Sequence, residues 1–246
     1  MRVIQLSDPH LGPTTHPDGT SAGNHQRAWQ NAERVAEQLR GRPDADELIV
    51  VITGDLTDEG HVNPAEYPPA VAWLKSLPGT VLAVPGNHDV GNFVSARATP
   101  TVSETYLARW REHVGDDRFA FAADGTRLLG LNSMLYGSGL PQETDQRDWL
   151  EQQLHTAETN HENLWVFQHA PLFLREPDET REPREHYWCP AADARDEILQ
   201  RLQSHEGFIG LAYGHVHRRF KQHLPETDQF FVACPALSGT HTDADY

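Results

Sequence analysis

The sequence predicts an α/β domain whose layers are built on a largely parallel sheet. Short runs rich in β-branched residues alternate with amphipathic segments along the 246 residues, a rhythm that is typical of βαβ units. The longest apolar runs, such as residues 48–52, have the length of a strand and fall far short of the roughly 20 residues that a membrane helix needs. We therefore expect a single domain over residues 1–246 with no membrane span.

The predicted strands combine apolar character with β-branched side chains. They are Arg2–Leu6, Leu48–Thr53, Thr80–Val84, Arg127–Leu131, Leu164–Phe167, Phe208–Tyr213 and Phe230–Ala233. The predicted helices carry apolar residues at helical spacing between these strands. They are Gln26–Arg40, a helix that runs from Asn63 as N-cap to Leu77, Ser103–His113, Asp145–Glu158 and Asp193–Ser204. A long, charged segment at 174–191 interrupts this rhythm, and it is either a lid over a site or a surface excursion.

The charge of the chain argues against a general nucleic-acid binder. There are 36 Asp and Glu against 20 Lys and Arg, a formal net charge of −16, whereas binding to a phosphate backbone needs clustered basic residues. The apolar run Val3–Leu6 is too short for the core of a signal peptide, and two cysteines are too few for a disulfide framework. These features predict a cytoplasmic protein, and they leave its oligomeric state open.

Five of the predicted strands are each followed by Asp, Asn or His. The blocks are Asp8-Pro9-His10, Gly54-Asp55, Gly86-Asn87-His88-Asp89, Gln168-His169 and Gly214-His215-Val216-His217. Because the carboxyl ends of parallel strands lie at one edge of a sheet, we expect these side chains to meet there. Alternate residues of an extended segment share a side, so Asp8 and His10 can reach the same ion.

The donors in these blocks predict a site for metal ions. Carboxylate, imidazole and amide oxygen suit borderline divalent metals such as Mn, Fe or Zn. The number of donors exceeds one tetrahedral ion and fits two ions that share a bridging carboxylate. The candidate ligands are Asp8, His10, Asp55, Asn87, His169, His215 and His217. A single His after a strand is usually structural, but five blocks in this order are not explained by coincidence.

This order of blocks resembles the pattern D-x-H, G-D, G-N-H-[DE], H and G-H-x-H of the calcineurin-like metallophosphoesterase superfamily. The resemblance extends from Arg2 to about Gly239, and many members continue further at their C-terminus. It implies a four-layer α-β-β-α sandwich with a dinuclear site at the C-terminal edge of the central strands. It implies one ion held by Asp8, His10 and His217, a second ion held by Asn87, His169 and His215, and Asp55 between them.

The same resemblance implies a hydrolase in which two divalent ions activate a water between them and clamp the phosphoryl oxygens. His88 matches the catalytic histidine of the family, which lies near the ions without binding them. It would donate a proton to the leaving alkoxide or a hydrogen bond to a phosphoryl oxygen. Asp89 would orient His88 or a neighbouring ligand, or act only as a turn residue.

Predictions about substrate rest on other residues. Asn24 and His25 would reach the phosphate or the leaving group, or cap the first helix. His186 and Tyr187 would line the pocket or anchor the loop at 174–191.

Two further stretches resemble different branches of the superfamily. Gly130–Ser133, followed by Asp148–Glu151, is similar to the branch with cyclic-nucleotide and glycerophosphodiester phosphodiesterases, although Asn132 replaces the common Asp. Residues 167–174, with 186–188 downstream, resemble members described as Ser/Thr-phosphatase-like. The predicted activity is hydrolysis of small phosphodiesters, including cyclic nucleotides, and the alternative is a phosphomonoesterase of the Ser/Thr-phosphatase type.

A non-catalytic, metal-stabilised binding scaffold is the alternative from another class. Such a scaffold is expected to have lost ligands or His88, and this sequence keeps all of them.

Overall fold

The computed structural model describes residues 1–15, 18–179, 187–224 and 226–239. The strands within these ranges are β1 (Arg2–Leu6), β2 (Leu48–Thr53), β3 (Thr80–Val84), β4 (Phe119–Ala123), β5 (Thr126–Leu131), β6 (Asn163–Gln168), β7 (Phe208–Tyr213), β8 (Phe220–Leu224) and β9 (Gln229–Ala233). The helices are α1 (Gly23–Arg40), α2 (Tyr67–Ser76), α3 (Asn87–Val90), α4 (Glu104–His113), α5 (Pro141–Thr159) and α6 (Ala192–Gln203).

The strands form two sheets. β1, β2 and β3 make a parallel sheet with β2 in the middle. The second sheet has the order β4-β5-β6-β7-β9-β8; it is parallel from β5 to β9 and antiparallel at both edges. The parallel strands of both sheets therefore supply the carboxyl ends from which the site is built.

The alternation of side chains along β2 explains the layers. Leu48, Val50 and Ile52 pack in a core that includes residues of α1 and α2. Ile49 and Val51 face the other way and pack between the sheets, where they belong to one cluster with Leu128, Phe167 and Ala212. Successive side chains of a strand point to opposite faces, so a strand that is buried on both faces reads as one apolar run. With α5 and α6 on the far side of the second sheet, the architecture is the predicted four-layer α-β-β-α sandwich.

The seven predicted strands are confirmed, four of them with the predicted bounds and three with ends that differ by one residue. Two edge strands, β4 and β8, were not predicted. β4 pairs with β5 through a two-residue turn, Asp124-Gly125, in which both residues have positive φ (51° and 71°). Asp-Gly is a typical hairpin turn, so the sequence contained this signal.

The helix predictions need three corrections. α1 begins at Gly23 and α5 at Pro141, three and four residues earlier than predicted. Asn63 is not a side-chain N-cap, because a 3₁₀ turn at Pro64–Glu66 precedes α2 and the Asn63 amide donates to Glu66 Oε1 at 3.2 Å. The four-residue helix α3 is too short to show a helical period, and the sequence did not predict it.

Among the described residues, the structure has no helix with the length and apolar character that crossing a membrane requires. Within the same described ranges, Cys189 is buried and Cys234 is partly buried, and neither forms a disulfide.

Candidate metal centre

The predicted ligands lie on short loops at the carboxyl ends of β1, β2, β3, β6 and β7, and backbone hydrogen bonds join these loops. The amide of Asp8 donates to the carbonyl of Gly54 at 3.1 Å, and the amide of His10 donates to that of Asp55 at 3.0 Å. The amide of Gly214 donates to the carbonyl of His169 at 2.9 Å. The ligand positions are therefore set by the sheet edge and not by flexible side chains alone.

The backbone is strained at most of these positions. Residues with a Cβ rarely adopt positive φ, and where they do so the surrounding structure holds them, often at functional sites. The predicted ligands with left-handed φ, between 47° and 63°, are Asp8, His10, Asp55, His215 and His217. This concentration of strain separates the loops from ordinary turns.

We call Asn87, His169 and His215 the second half-site. Nε2 of His169 lies 3.0 Å from Asn87 Oδ1, 3.1 Å from His215 Nδ1 and 3.3 Å from Asp55 Oδ2. These four residues are buried, with at most 4% of their surface exposed. Their donor atoms converge on one point below the surface.

We call Asp8, His10 and His217 the first half-site. Nε2 of His217 lies 3.1 Å from Asp8 Oδ1 and 3.2 Å from His10 Nε2. His10 Nε2 lies 3.6 Å from Asp55 Oδ2, so this carboxylate oxygen is near both half-sites. The His217 side chain is 14% exposed, and the first half-site is therefore the one closer to solvent.

The directions of the histidine nitrogens fit bound cations. His169 Nδ1 donates to the carbonyl of Thr53 at 2.9 Å, and His215 Nε2 donates to that of Tyr187 at 3.0 Å. A neutral imidazole has only one N–H, so the two nitrogens that face each other at 3.1 Å both present lone pairs. Two facing lone pairs repel, so the two nitrogens need a positive charge between them, either a proton on His169 Nε2 or a bound metal ion. Together with the carboxylates and the amide oxygen, this donor set suits borderline divalent ions.

The pKa values of the buried groups also show that the site favours positive charge. Burial disfavours charge on Asp8 and Asp55, but the neighbouring imidazoles outweigh it and hold the pKa of both carboxyls below the usual range. Burial also opposes charge on His169, yet Asp55 and Asp8 raise the pKa of His169 to about 9. Burial and the charge of His169 lower the pKa of His215 to about 3. Metal ions that bind here must displace the proton on His169.

Comparison with known proteins decides the family. The profile of the family described as Calcineurin-like phosphoesterase matches residues 1–219, which is most of the chain. The chain belongs to the calcineurin-like phosphoesterase family. It is therefore a dimetal phosphoesterase, a hydrolase that acts on phosphoric esters, and the resemblance seen in the sequence is confirmed.

Two kinds of curated relatives are similar to this phosphoesterase. The serine/threonine-protein phosphatase CPPED1 of Danio rerio is 31% identical over 87% of this chain and 69% of its own length. Its counterpart in Homo sapiens is 35% identical over 86% of this chain and 68% of its own length. The glycerophosphodiester phosphodiesterase GpdQ of Enterobacter lignolyticus is 34% identical over 70% of this chain and 57% of its own length.

Solved structures support the fold. A dimetal phosphatase from Danio rerio superposes with a TM-score of 0.61, at 17% identity, over 97% of this chain and 88% of its own. A phosphopantetheinyl hydrolase from Mycobacterium tuberculosis gives a TM-score of 0.51, at 14% identity, over 96% of this chain and 90% of its own.

His88 of the phosphoesterase lies beside the first half-site. Its backbone amide donates to Asp55 Oδ1 at 2.9 Å, and its ring is 4.7 Å from that of His10. Its Nδ1 donates to the carbonyl of Asp58, which leaves Nε2 for other partners. Burial opposes charge on the ring, but Asp55 and the Asp58 carbonyl outweigh it and raise the pKa of His88.

Asp89 joins two of the site loops. Its buried carboxylate accepts from the backbone amides of Gly86 at 2.9 Å, Leu56 at 3.1 Å and Thr57 at 2.9 Å, and from the Thr57 hydroxyl at 2.7 Å. These contacts lock the loop after β3 onto the loop after β2. The His88 ring is held by Asp58, so the contacts of Asp89 favour a structural role over the predicted orientation of His88.

Asp58 is the residue at this site that sequence reasoning missed. Its Oδ2 lies 2.9 Å from His25 Nε2, and its Oδ1 lies 3.5 Å from His10 Nδ1. Its backbone carbonyl accepts from the ring of His88. One residue thus contacts a predicted ligand, the predicted catalytic histidine and a third imidazole. The only available signal was its position three residues after Asp55.

The predicted substrate residues have different surroundings. The His25 ring is held between Asp58 and the carbonyl of Pro13, which its Nδ1 contacts at 2.7 Å, so it is not a helix cap. Ala22 is the N-cap of α1, and Asn24 is exposed in the first turn. Tyr187 lies against the second half-site, with its ring 5.2 Å from that of His215. His186 falls outside the described residues.

Two glycines allow the loops to approach the ligands. A Cβ on Gly86 would overlap Asp55 Oδ1, and a Cβ on Gly214 would overlap Ser7 Oγ and Asp8 Oδ2. Any larger residue at either position would displace a carboxylate of the site.

Proposed function

We propose that this phosphoesterase hydrolyses small phosphodiesters and acts more weakly on phosphomonoesters. In this proposal Asp8, His10 and His217 hold one divalent ion, Asn87, His169 and His215 hold another, and Asp55 bridges them, with Mn, Fe or Zn as the metals. When bound, such ions acidify water and neutralise phosphoryl oxygens.

The observation that carries the proposal is the placement of His88. Its Nδ1 donates to the Asp58 carbonyl, so on a protonated ring Nε2 carries the second proton and is not engaged by that contact. Hydrolysis forms a bond from a water oxygen to phosphorus and breaks the bond to the leaving alkoxide. The alkoxide takes the proton from His88 Nε2, and the proton of the attacking water passes to solvent.

The proposal of a small substrate rests on the net charge of the chain. A chain with net charge −16 repels long polyanions, whereas a small ester carries little charge of its own. The preference for diesters is supported by the 34% identity to a glycerophosphodiester phosphodiesterase.

A second candidate is a phosphatase that acts on phosphomonoesters, including phosphoserine and phosphothreonine in peptides. The specific observation in its favour is the 31–35% identity to serine/threonine-protein phosphatases over 86–87% of the chain.

One panel of substrates on a single manganese-loaded preparation tests both candidates. It contains bis(p-nitrophenyl) phosphate, p-nitrophenyl phosphate, a cyclic nucleotide, a glycerophosphodiester and a phosphoserine peptide. The proposal expects the highest kcat/KM for a small diester, and His88→Ala, loaded with manganese in the same way, is the control for contaminating activity. A phosphopeptide that exceeds every diester would establish the second candidate, and no turnover of any of these esters would contradict both candidates.

A further inference from the structure

Tyr187 contacts two residues of the second half-site at once. Its hydroxyl oxygen accepts a hydrogen bond from Asn87 Nδ2 at 3.1 Å, and its backbone carbonyl accepts from His215 Nε2 at 3.0 Å. It lies within the charged segment at 174–191 and not on one of the strand loops that carry the ligands. The sequence predicted a substrate contact or a loop anchor here, and neither prediction involves the metal ligands.

The contact with Asn87 matters because an amide can turn either of its ends toward an ion. Only the oxygen is a ligand, while the NH₂ group carries two hydrogens that repel a cation. Asn87 is 4% exposed, so with Oδ1 directed at the second half-site its Nδ2 needs a partner inside the protein. The Tyr187 hydroxyl is such a partner.

The contact with His215 has a parallel effect. A histidine that donates one N–H to a carbonyl keeps the other nitrogen as an acceptor, and partners of this kind orient ligand rings. The Tyr187 carbonyl thus leaves His215 Nδ1 facing His169 Nε2 at 3.1 Å.

We propose that Tyr187 is a positioning residue of the second half-site, which holds the Asn87 amide oxygen and His215 Nδ1 toward the second ion. This inference rests on the ligand assignment of the proposed function. Only the hydroxyl can be removed by substitution, so Tyr187→Phe, which keeps the ring and the carbonyl, isolates the contact with Asn87.

The test is a titration of metal-free protein with manganese, followed by calorimetry and by electron paramagnetic resonance. The wild type is expected to bind two ions. Tyr187→Phe should bind one of them about 10-fold or more weakly and the other unchanged, since the loss of a partner behind a ligand costs about 10–100-fold in metal affinity. Tyr106→Phe is the matched control, because it removes a phenol hydroxyl from a ring that packs 5.6 Å from His61.

Kinetics separate positioning from substrate contact. If Tyr187 acts through the ion, kcat of Tyr187→Phe returns close to the wild-type value at saturating manganese, and KM for bis(p-nitrophenyl) phosphate stays unchanged. A raised KM that manganese does not correct would mean that Tyr187 binds substrate, which overturns the proposal.

A double-mutant cycle with Asn87→Asp gives an independent measurement. Both oxygens of an Asp carboxylate can bind an ion, so there is no amide to orient. Tyr187→Phe should therefore cost less than about 3-fold in manganese affinity in the Asn87→Asp background, against about 10-fold in the wild type. Equal costs in both backgrounds would overturn the proposal, as would two ions bound equally well by the wild type and Tyr187→Phe. Fewer than two ions on the wild type would overturn the ligand assignment as well.

Discussion

The two half-sites use similar ligands but are held in different ways. In the second half-site the outer ring nitrogens of His169 and His215 donate to backbone carbonyls, at 2.9 and 3.0 Å. In the first half-site the outer nitrogen of His10 faces the side-chain carboxylate of Asp58, at 3.5 Å, and Asp58 in turn pairs with His25. The second half-site is also fully buried, whereas His217 of the first is in partial contact with solvent.

This difference separates what the fold determines from what single side chains determine. A backbone carbonyl survives every substitution that preserves the fold, so the orientation of His169 and His215 is tied to the sheet edge and to residue 187. The orientation of His10 depends on one carboxylate, which a single substitution can remove. We therefore expect the affinity of the first ion to be tunable by point mutation more easily than that of the second.

The largest effect is expected for Asp55, because its carboxylate lies near both half-sites. Asp55 Oδ2 lies 3.6 Å from His10 Nε2 and 3.3 Å from His169 Nε2, so Asp55→Ala removes a donor from both. The variant should lose both ions, and its turnover should fall by more than the roughly 10²–10³-fold that one stabilising donor is worth. Elemental analysis after gel filtration measures this.

Asp8→Ala is the matched control for Asp55→Ala, since it also removes a buried carboxylate, but one that is a proposed ligand of the first ion only. This carboxylate also contacts the backbone amide of His215, at 3.1 Å. It should retain about one ion per chain. Two ions retained by Asp55→Ala would contradict the bridging assignment.

The next largest effect is expected for His88, and it distinguishes a role in the reaction from a role in metal binding. His88→Ala should keep both ions and lose about 10²–10⁴-fold in turnover, the usual contribution of a positioned acid or base. The loss should be smaller for esters with a p-nitrophenolate leaving group, which needs little protonation, than for alkyl esters. Equal losses for both types of ester would count against proton donation by His88 and in favour of charge stabilisation.

The parts of the structure that were predictable from sequence follow from local patterns. β2 is buried on both faces and reads as an unbroken apolar run, so its bounds could be predicted to the residue. The ligand blocks were visible because each follows such a strand, where the carboxyl end of a parallel strand opens onto the sheet edge. The edge strand β8, Phe-Lys-Gln-His-Leu, is largely polar and exposed, and no pattern distinguishes it from a loop.

The parts that were missed depend on contacts across the chain. His25 and Asp58 are 33 residues apart, and Asn87 and Tyr187 are 100 residues apart. Periodicity and spacing describe neighbours along one element, so they predict which loops meet but not which side chains pair once the loops have met. The residues that contact the ligands therefore became visible only in the structure.

A smaller and more selective effect is expected for Asp58→Asn. The amide keeps the shape and the backbone carbonyl that holds His88, but it removes the charge beside His10 Nδ1. The ion of the first half-site should bind about 10–100-fold more weakly, as for other lost partners of ligand histidines, and the ion of the second half-site should be unaffected. Manganese titration measures both affinities.

Asp148→Asn, an exposed substitution on α5, is the matched control for the loss of one negative charge in the Asp58 experiment. If Asp58→Asn weakened both ions equally, the half-sites would not be held independently.

The smallest effect concerns His25, which lies outside the first half-site and contacts Asp58. Both of its ring nitrogens face oxygen acceptors, Pro13 O at 2.7 Å and Asp58 Oδ2 at 2.9 Å, so the ring satisfies both contacts only as the cation. Burial opposes this charge, but the Pro13 carbonyl and Asp58 outweigh it and raise the pKa of His25. A raised pKa in the folded state means that protonation stabilises the fold. This stabilisation is fully present below the unfolded pKa of about 6.5 and is lost as pH rises through the higher folded value.

His25→Gln should therefore lower the melting temperature of the metal-free protein at about pH 6, and the difference from the wild type should shrink toward zero as the pH rises past the folded pKa. The pair is partly exposed and worth less than about 1 kcal/mol, so the difference should not exceed about 2–4 °C. His155→Gln, on the exposed surface of α5, is the matched control for the loss of an imidazole. The His25 ring also packs on Gly12, where an added Cβ would lie 2.8 Å from it. A destabilisation by His25→Gln that stayed constant from pH 6 to pH 9 would show that the ring acts through this packing and not through its charge. In that case the charge of His25 would not contribute to the surroundings of the first half-site, and the contrast between the two half-sites would be limited to the contact of Asp58 with His10.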